Sequence, residues 1–184
     1  MLKTLLLAVA LVTPFQVSAH DRSGNDTASD WVAKHYASFG LWDSVCDERM
    51  EAGELQQRCY LRYVEVFSPR PLFMASFVFA YTQDKQTQIE LGFERGVRYS
   101  ENGLRVERQG ETVWSADDRC LDTSPCTLSS VAAQDMLAHL AGGDVLIQEF
   151  ADRSGQMRLL EWDLSKFADA VSDYRREASA RNLL

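Results

Sequence analysis

Hydrophobic and polar residues alternate along several short segments of the chain, and a period of two is typical of β-strands with one buried face. The clearest case is residues 88–94, in which Ile89, Leu91 and Phe93 alternate with polar or small residues. Residues 72–81 are instead almost entirely apolar and rich in aromatic side chains. Such a short run indicates a central strand that is buried on both faces.

Other segments rich in β-branched and aromatic residues are bounded by turn residues, which also predicts strands. They span residues 41–47, 58–67, 97–101, 104–108, 112–115, 144–151 and 157–163. Asn102-Gly103 is a favoured sequence for a two-residue turn and predicts a hairpin between two of these strands. Further turns are expected at Gln109-Gly110 and at residues 152–155.

Helical periodicity appears in the last third of the chain. Ser130 can cap a helix that runs to about Ala141 and is stopped by Gly142-Gly143. A last helix begins at Asp163 or Ser165. Its apolar residues fall on one face, which we expect to pack on the sheets: Phe167, Ala170, Val171, Tyr174 and Ala178.

The start of the domain is predicted from weaker signals. Residues 20–30 are polar and predict a flexible lead-in. Residues 31–39 are predicted as a short helix, because Trp31, His35 and Phe39 recur every four residues and would lie on one side of it.

About nine short strands, frequent turns and two longer helices indicate a mainly β protein. We predict a two-layer antiparallel β-sandwich with a short helix and a C-terminal helix, formed by residues 31–184 as a single domain. A barrel or meander curved around the last helix is the alternative, and periodicity alone does not separate the two.

Residues 1–19 have the three parts of a secretory signal peptide: Lys3, an apolar run over residues 5–12, and a small-residue cleavage site that ends at Ala19. Cleavage there would make His20 the first residue of the mature chain. The apolar run is far shorter than the roughly 20 residues that span a bilayer. We therefore expect an exported chain without a transmembrane segment; an uncleaved anchor is the alternative.

Four cysteines behind a signal peptide predict two disulfides, because an oxidising compartment allows them to form and persist. The sequence permits three pairings. We prefer the local one, Cys46 with Cys59 and Cys120 with Cys126, because each pair flanks a turn-like segment. Zinc is a poor alternative, since the spacings match no short zinc knuckle.

The formal net charge of −8 disfavours nucleic acid and anionic membrane surfaces as partners, because both require a basic face. The sequence also has no Gly-x-Ser-x-Gly elbow and no Cys-x-x-Cys redox pair. We therefore assign no catalytic residues and no cofactor, and we expect the protein not to be an enzyme.

The three histidines are scattered along the sequence. His20 is the one candidate metal ligand, because cleavage after Ala19 would give it an α-amine beside its imidazole, a good pair for copper. Such a site needs a second histidine, and His35 and His139 are the candidates. The simpler expectation is no metal site, with His139 solvated on its helix.

These residues together resemble the invasion-associated locus B (IalB) family of exported bacterial proteins. The resemblance covers about residues 31–174. It rests on the order of Phe39-Gly40-Leu41-Trp42 before Cys46, Cys59 in the next strand, the close pair Cys120 and Cys126, the helix to Gly142-Gly143, and Trp162-Asp163-Leu164 before Phe167 and Ala170. It implies an immunoglobulin-like sandwich in the periplasm or at the outer membrane, linked in some pathogens to host-cell invasion, without established catalytic residues.

We therefore predict a disulfide-stabilised cell-envelope protein that is periplasmic, outer-membrane-associated or secreted. Its expected role is to bind another envelope or secreted protein through a sandwich face or an edge strand. The four tryptophans, Trp31, Trp42, Trp114 and Trp162, together with six tyrosines, could provide a sugar-binding or protein-binding platform if they are exposed, although tryptophan in strands is usually core. The alternative is a periplasmic metal or small-ligand binding protein that uses His20.

Overall fold

Most of the period-two segments form strands in the computed structural model. The structure describes residues 30–66, 75–83, 85–93, 97–117, 120, 125–152 and 154–184. The predicted signal peptide, the lead-in before residue 30 and His20 therefore lie outside the described residues.

The described residues form ten strands and two helices. The strands are β1 (Val32–Phe39), β2 (Trp42–Glu51), β3 (Glu54–Val66), β4 (Ala75–Gln83), β5 (Gln86–Phe93), β6 (Arg98–Arg108), β7 (Glu111–Ser115), β8 (Cys126–Ser129), β9 (Val145–Ala151) and β10 (Met157–Asp163). The helices are α1 (Ser130–Gly142) and α2 (Phe167–Ala180).

All strand pairs are antiparallel and form two sheets. The first sheet has the order β1-β2-β3-β4-β5-β8, and the second has the order β10-β9-β6-β7. Phe93 of β5 contacts Phe150 of β9 with ring centroids 4.0 Å apart, so the two sheets share one core. The predicted antiparallel sandwich with a short helix and a C-terminal helix is confirmed.

Helix α2 covers one end of the six-stranded sheet. It packs against β1, β2 and β3, while α1 packs against β5, β8 and α2. The predicted apolar face of α2 is confirmed, since all five of its residues are buried. We call the covered side of the six-stranded sheet the inner face; it carries Trp42, Cys46 and Leu61. The opposite side is the outer face.

The predicted helix over residues 31–39 is wrong. These residues form β1, an edge strand paired with β2, with exposed and half-buried side chains alternating along it. A spacing of four residues fits a helix, but it equally fits a strand, because four is an even number of steps in a period of two. His35 and Phe39 do share one side, and it is the inner face of the sheet.

The hairpin predicted at Asn102-Gly103 is also wrong, because β6 continues through both residues. Tyr99 pairs with Phe150 and Leu104 with Gln148, so residues 100–103 lie opposite Glu149 alone in a large bulge. Asn102 has a φ of 56°, which the turn-forming sequence tolerates well. A side chain at Gly103 would overlap the Glu149 carbonyl oxygen, so the backbones approach closely here.

The predicted capping role of Ser130 is not the observed one. The N-cap position of α1 is Ser129, which makes no capping hydrogen bond with its side chain. Ser130 Oγ donates instead to Gln86 Oε1 at 2.9 Å. Ser130 thus connects the start of α1 to the β4–β5 turn.

Both disulfides are present with the local pairing. Cys46 lies directly opposite Cys59 in the β2–β3 ladder, with Cα atoms 4.1 Å apart. Cys120 and Cys126, with Cα atoms 4.9 Å apart, close the connection into β8. All four residues are buried. The Cys46–Cys59 bridge therefore fixes the β2–β3 pair within the core, and the Cys120–Cys126 bridge fixes the start of β8 there.

We expect removal of the two bridges to destabilise the protein to different extents. In the chain-entropy description, the longer loop closed by Cys46–Cys59 stabilises by about 3 kcal/mol and the shorter one by about 2 kcal/mol. Alanine at both positions of each pair should lower the free energy of unfolding accordingly, as measured by denaturant unfolding in oxidising buffer. An unchanged midpoint for either variant would contradict the assigned role of that bridge.

Candidate functional site

An aromatic cluster fixes α2 on the inner face. Trp42 contacts Phe167 edge to face with ring centroids 4.6 Å apart, and Tyr63 contacts Trp162 in the same way at 4.4 Å. Trp42 Nε1 also donates to the Asp163 carbonyl oxygen at 3.1 Å. The cluster therefore joins β2, β3, β10 and α2, and it leaves no open inner face at this end of the sheet.

Beside this cluster, a group of charged side chains connects β1 to α2. His35 Nε2 donates to Asp173 Oδ2 at 2.7 Å, and His35 Nδ1 lies 3.8 Å from Glu177 Oε2. Arg176 donates to Asp173, and Arg181 Nη1 donates to Glu177 Oε2 at 2.8 Å. We call these five side chains the His35 cluster.

Hydrogen bonds hold both carboxylates of the His35 cluster in the ionised form. Burial alone would raise the pKa of Asp173, but the bonds from His35 and Arg176 and the charge of His35 lower it below its ordinary value. The bond from Arg181 lowers the pKa of Glu177, and the nearby His35 and Arg176 add to this effect.

The His35 cluster contains the residue types that bind metal ions. One ligand atom each from His35, Asp173 and Glu177 lie within 4.8 Å of one another. However, Arg176 and Arg181 already neutralise the two carboxylates, and the two ring nitrogens of His35 face different carboxylates. An ion would have to displace these partners, so the geometry favours a structural ion-pair group that ties the edge strand β1 to α2.

The remaining histidine of the described chain lies elsewhere. His139 is partly exposed on α1, with its Nε2 3.6 Å from Asp135 Oδ1 on the same helix. It is not a member of the His35 cluster. The partly solvated position expected for His139 is the one observed.

The outer face carries a row of aromatic and cationic side chains. Cys59 and Leu61 of β3 point into the core, so Arg58, Tyr60 and Arg62 point outward between them. The Arg58 guanidinium lies 3.9 Å from the centroid of the Trp31 ring. This alternation of inward and outward residues is the signal from which the outer row could have been found in the sequence.

Arg58 is fixed in the row by a two-pronged ion pair. Its Nε and Nη2 donate to Asp47 at 2.7 and 3.0 Å, and Tyr60 donates to the same carboxylate at 3.2 Å. Burial alone would lower the pKa of Arg58, but the bonds and charge of Asp47 raise it. Burial, followed by the charge of Asp47, raises the pKa of Tyr60. Arg58 is therefore a fixed cation at all ordinary pH values.

An open groove of about 920 Å³ follows the row. On the outer face its lining comprises Trp31, Gln56, Arg58, Tyr60, Arg62, Phe79, Tyr81 and Glu90, with Lys85 in the turn before β5. At its end the groove also meets Gln57, Cys59, Thr82, Asn182 and Leu183, which lie toward the core and α2. We call this the outer groove. Its volume lies near the upper end of the roughly 300–1,000 Å³ that is usual for ligand sites.

The tryptophans considered as a platform have different roles. Trp42 and Trp162 are fully buried, and Trp114 is half-buried against the core. Trp31 alone among the described tryptophans lines the outer groove. Most of its neighbours there belong to β3, β4 and β5, which sequence patterns assign to strands but do not place side by side.

Comparison with known proteins supports the fold of this chain alone. No model of a known protein family matches the sequence, and no curated protein matches it. A crystal structure of invasion-associated protein B from Bartonella henselae is similar, with a TM-score of 0.50 and 14% sequence identity. The similarity covers 79% of this chain and 98% of that chain. The two proteins share a fold.

We expect Asp173 to stabilise the attachment of α2 to β1. Asp173→Asn leaves His35 and Arg176 without their buried anionic acceptor and should lower the free energy of unfolding at pH 7 by about 2 kcal/mol. Because the folded-state pKa of Asp173 lies below its ordinary value of 3.8, this stabilisation is complete above that pH. It is lost as the pH falls toward the folded-state pKa, so the two proteins should become equally stable in acid.

Thermal and denaturant unfolding between pH 2 and pH 7 would measure this difference. Asp169→Asn is the matched control, because Asp169 lies on the same helix in an exposed pair with Lys166. That substitution should change stability by less than about 0.5 kcal/mol. Equal stability of Asp173→Asn and the unmodified protein at pH 7 would show that the His35 cluster does not hold α2.

Proposed function

We propose that this protein is a divergent member of the IalB family that is exported to the cell envelope and binds another protein without catalysing a reaction. The binding site in this proposal is the outer groove, and the partner is an envelope or secreted protein. The observation that carries the proposal is the contrast between the two faces of the six-stranded sheet. One face is closed by α2, whereas the other displays partly exposed arginine and aromatic side chains.

Export is supported by two independent features. The first 19 residues have the pattern of a signal peptide. The two disulfides are typical of oxidising compartments outside the cytoplasm. In addition, none of the helices in the described part of the chain is long and apolar enough to cross a membrane.

A role in protein binding is supported by the composition of the outer groove. Tryptophan, tyrosine and arginine are the residues most enriched at the centres of protein interfaces. Trp31, Arg58 and Tyr60 form a contiguous group there, with Arg58 in contact with both rings. Because Asp47 fixes Arg58, this side chain is already ordered in the free protein and loses less conformational entropy on binding.

A non-catalytic role is supported by the state of the charged residues. His35 contacts Asp173 and Glu177 of α2, and both of these carboxylates are also paired with arginines. In the outer groove, Arg58 is committed to Asp47 as a permanent cation. In both arrangements the charged side chains already have ion-pair partners within the protein.

Site-specific photo-crosslinking in the cells that make the protein tests this proposal. A photoreactive residue in place of Gln56 or Tyr81, both in the outer groove, should form a discrete adduct with one other protein. Thr112 and Glu161 are matched control positions, because both are exposed and lie in the second sheet. Adducts at the groove positions alone are the expected result.

Export is tested in the same cells. Mass measurement of the purified protein should give a chain that begins at His20 and retains both disulfides. An unprocessed chain in the cytoplasm would overturn the export part of the proposal. Equal crosslinking at groove and control positions, or none at either, would overturn the binding part.

A further inference from the structure

We infer that the occupant of the outer groove is an acidic peptide segment in an extended conformation, whose carboxylates pair with Arg62 and Lys85. This inference rests on the proposed function and specifies the chemistry of the partner. It is argued from the charge of the groove, from the state of its aromatic rings and from its dimensions.

The groove presents positive charge on a protein that is acidic as a whole. Arg58, Arg62 and Lys85 line it, and Glu90 is the one carboxylate among its lining residues. The net charge of the whole chain is −8, so the lining of the groove differs in sign from the chain as a whole. A partner that carries carboxylates would be repelled by most of this surface and attracted here.

The aspartates that pair with these arginines do not cancel this charge toward the solvent. The Arg58 side chain is 47% exposed, whereas its partner Asp47 is 8% exposed and lies beneath it. The Arg62 Nε lies 3.5 Å from Asp43 Oδ2, a long contact that uses one edge of its guanidinium. Lys85 has no ion pair within the described part of the chain. Arg62 and Lys85 therefore retain donors for an incoming anion.

The aromatic rings favour a peptide over a sugar chain. Sugar binding uses an open aromatic face, but two guanidinium groups already lie over the Trp31 ring, Arg49 at 4.6 Å and Arg58 at 3.9 Å from its centroid. Phe79, the neighbour of Tyr60 in the groove, adds an apolar surface without a polar group. Such a surface matches an apolar side chain of a peptide.

The dimensions of the groove fit a short extended segment. Gln56 to Arg62 covers seven residues of β3, and the six steps between them span about 20 Å at the usual rise of a strand. Arg58, Tyr60 and Arg62 lie on one face at every second residue of β3, and the side chains of an extended peptide that point to one side also recur at every second residue. A peptide whose groove-facing side chains are acidic and apolar in turn would therefore reach the cations and the aromatic rings. Gln56, which also lines the groove on the outer face, offers an amide group to the peptide backbone.

Binding of synthetic peptides to the purified, oxidised protein tests this inference. The probe is an acetylated octapeptide with Ser at every odd position and Glu and Tyr in turn at the even positions, so that one side presents both, and its control has Gln in place of every Glu. Isothermal titration should show at least tenfold weaker binding of the control and weakening of the acidic peptide with added salt. In two-dimensional NMR spectra, the acidic peptide should shift the amide signals of residues 58–62 and 79–81 and leave those of β9 and β10 unchanged.

A charge-reversal variant assigns the binding to the groove. Arg62→Glu combined with Lys85→Glu should reduce affinity for the acidic peptide at least tenfold. Arg98→Glu is the control, because Arg98 is an exposed cation of β6 outside the groove, and it should bind as the unmodified protein does. Thermal unfolding of each variant would establish that it is folded.

The outcomes separate this inference from the proposed function. If groove photo-crosslinks form but the acidic and neutral peptides bind equally or not at all, the inference is overturned and the proposed function stands. If the acidic peptide binds and polygalacturonate, an acidic polysaccharide, does not displace it, the inference holds. If polygalacturonate binds the groove and the peptide does not, the inference is overturned. A tenfold loss of affinity for the acidic peptide in the Arg98→Glu variant would also overturn the inference.

Discussion

The contact of Trp42 with Phe167 is the interaction on which the arrangement of this protein depends. The two rings meet edge to face at the point where the six-stranded sheet, the last strand and α2 come together. The Cys46–Cys59 bridge lies on the same inner face, so the strand pair that carries Trp42 is covalently fixed. Once α2 is seated there, the His35 cluster holds the edge strand β1 to it, and Thr82 bonds to Tyr174 at 2.5 Å to hold β4.

In the proposed function, coverage of the inner face limits where a partner could contact the six-stranded sheet. A sheet with a helix on one side has only its other side and its edges available to a partner, and β1 is tied to α2. The outer face remains, and its residues differ from those of an ordinary solvated surface. Arg58 is fixed by a buried carboxylate, and aromatic rings surround it. This combination of rigidity and partial exposure is what a protein-binding surface requires.

Sequence patterns predict the strands and α2 well, because burial on one side imposes a strict period of two or 3.6. The helix predicted over residues 31–39 was wrong, because a spacing of four fits both periods, and only pairing with β2 decides between them. Asn102-Gly103 has the local preferences of a turn, but pairing of β6 with β9 on both sides of it makes a bulge. The outer groove could not be predicted, because neighbouring strands bring its residues together. The His35 cluster joins residues 138 positions apart, which no local pattern reveals.

The central claim is that the outer face is the surface that binds in the cell. Hydroxyl-radical footprinting, followed by mass spectrometry, compares side-chain oxidation in the purified protein and in the intact envelope. Tyr60 and Tyr81 in the groove should be oxidised less in the envelope than in the purified protein, whereas Met157, 51% exposed on β10, should be oxidised equally in both. Equal oxidation of the two tyrosines in both states, or protection of Met157 alone, would contradict the account.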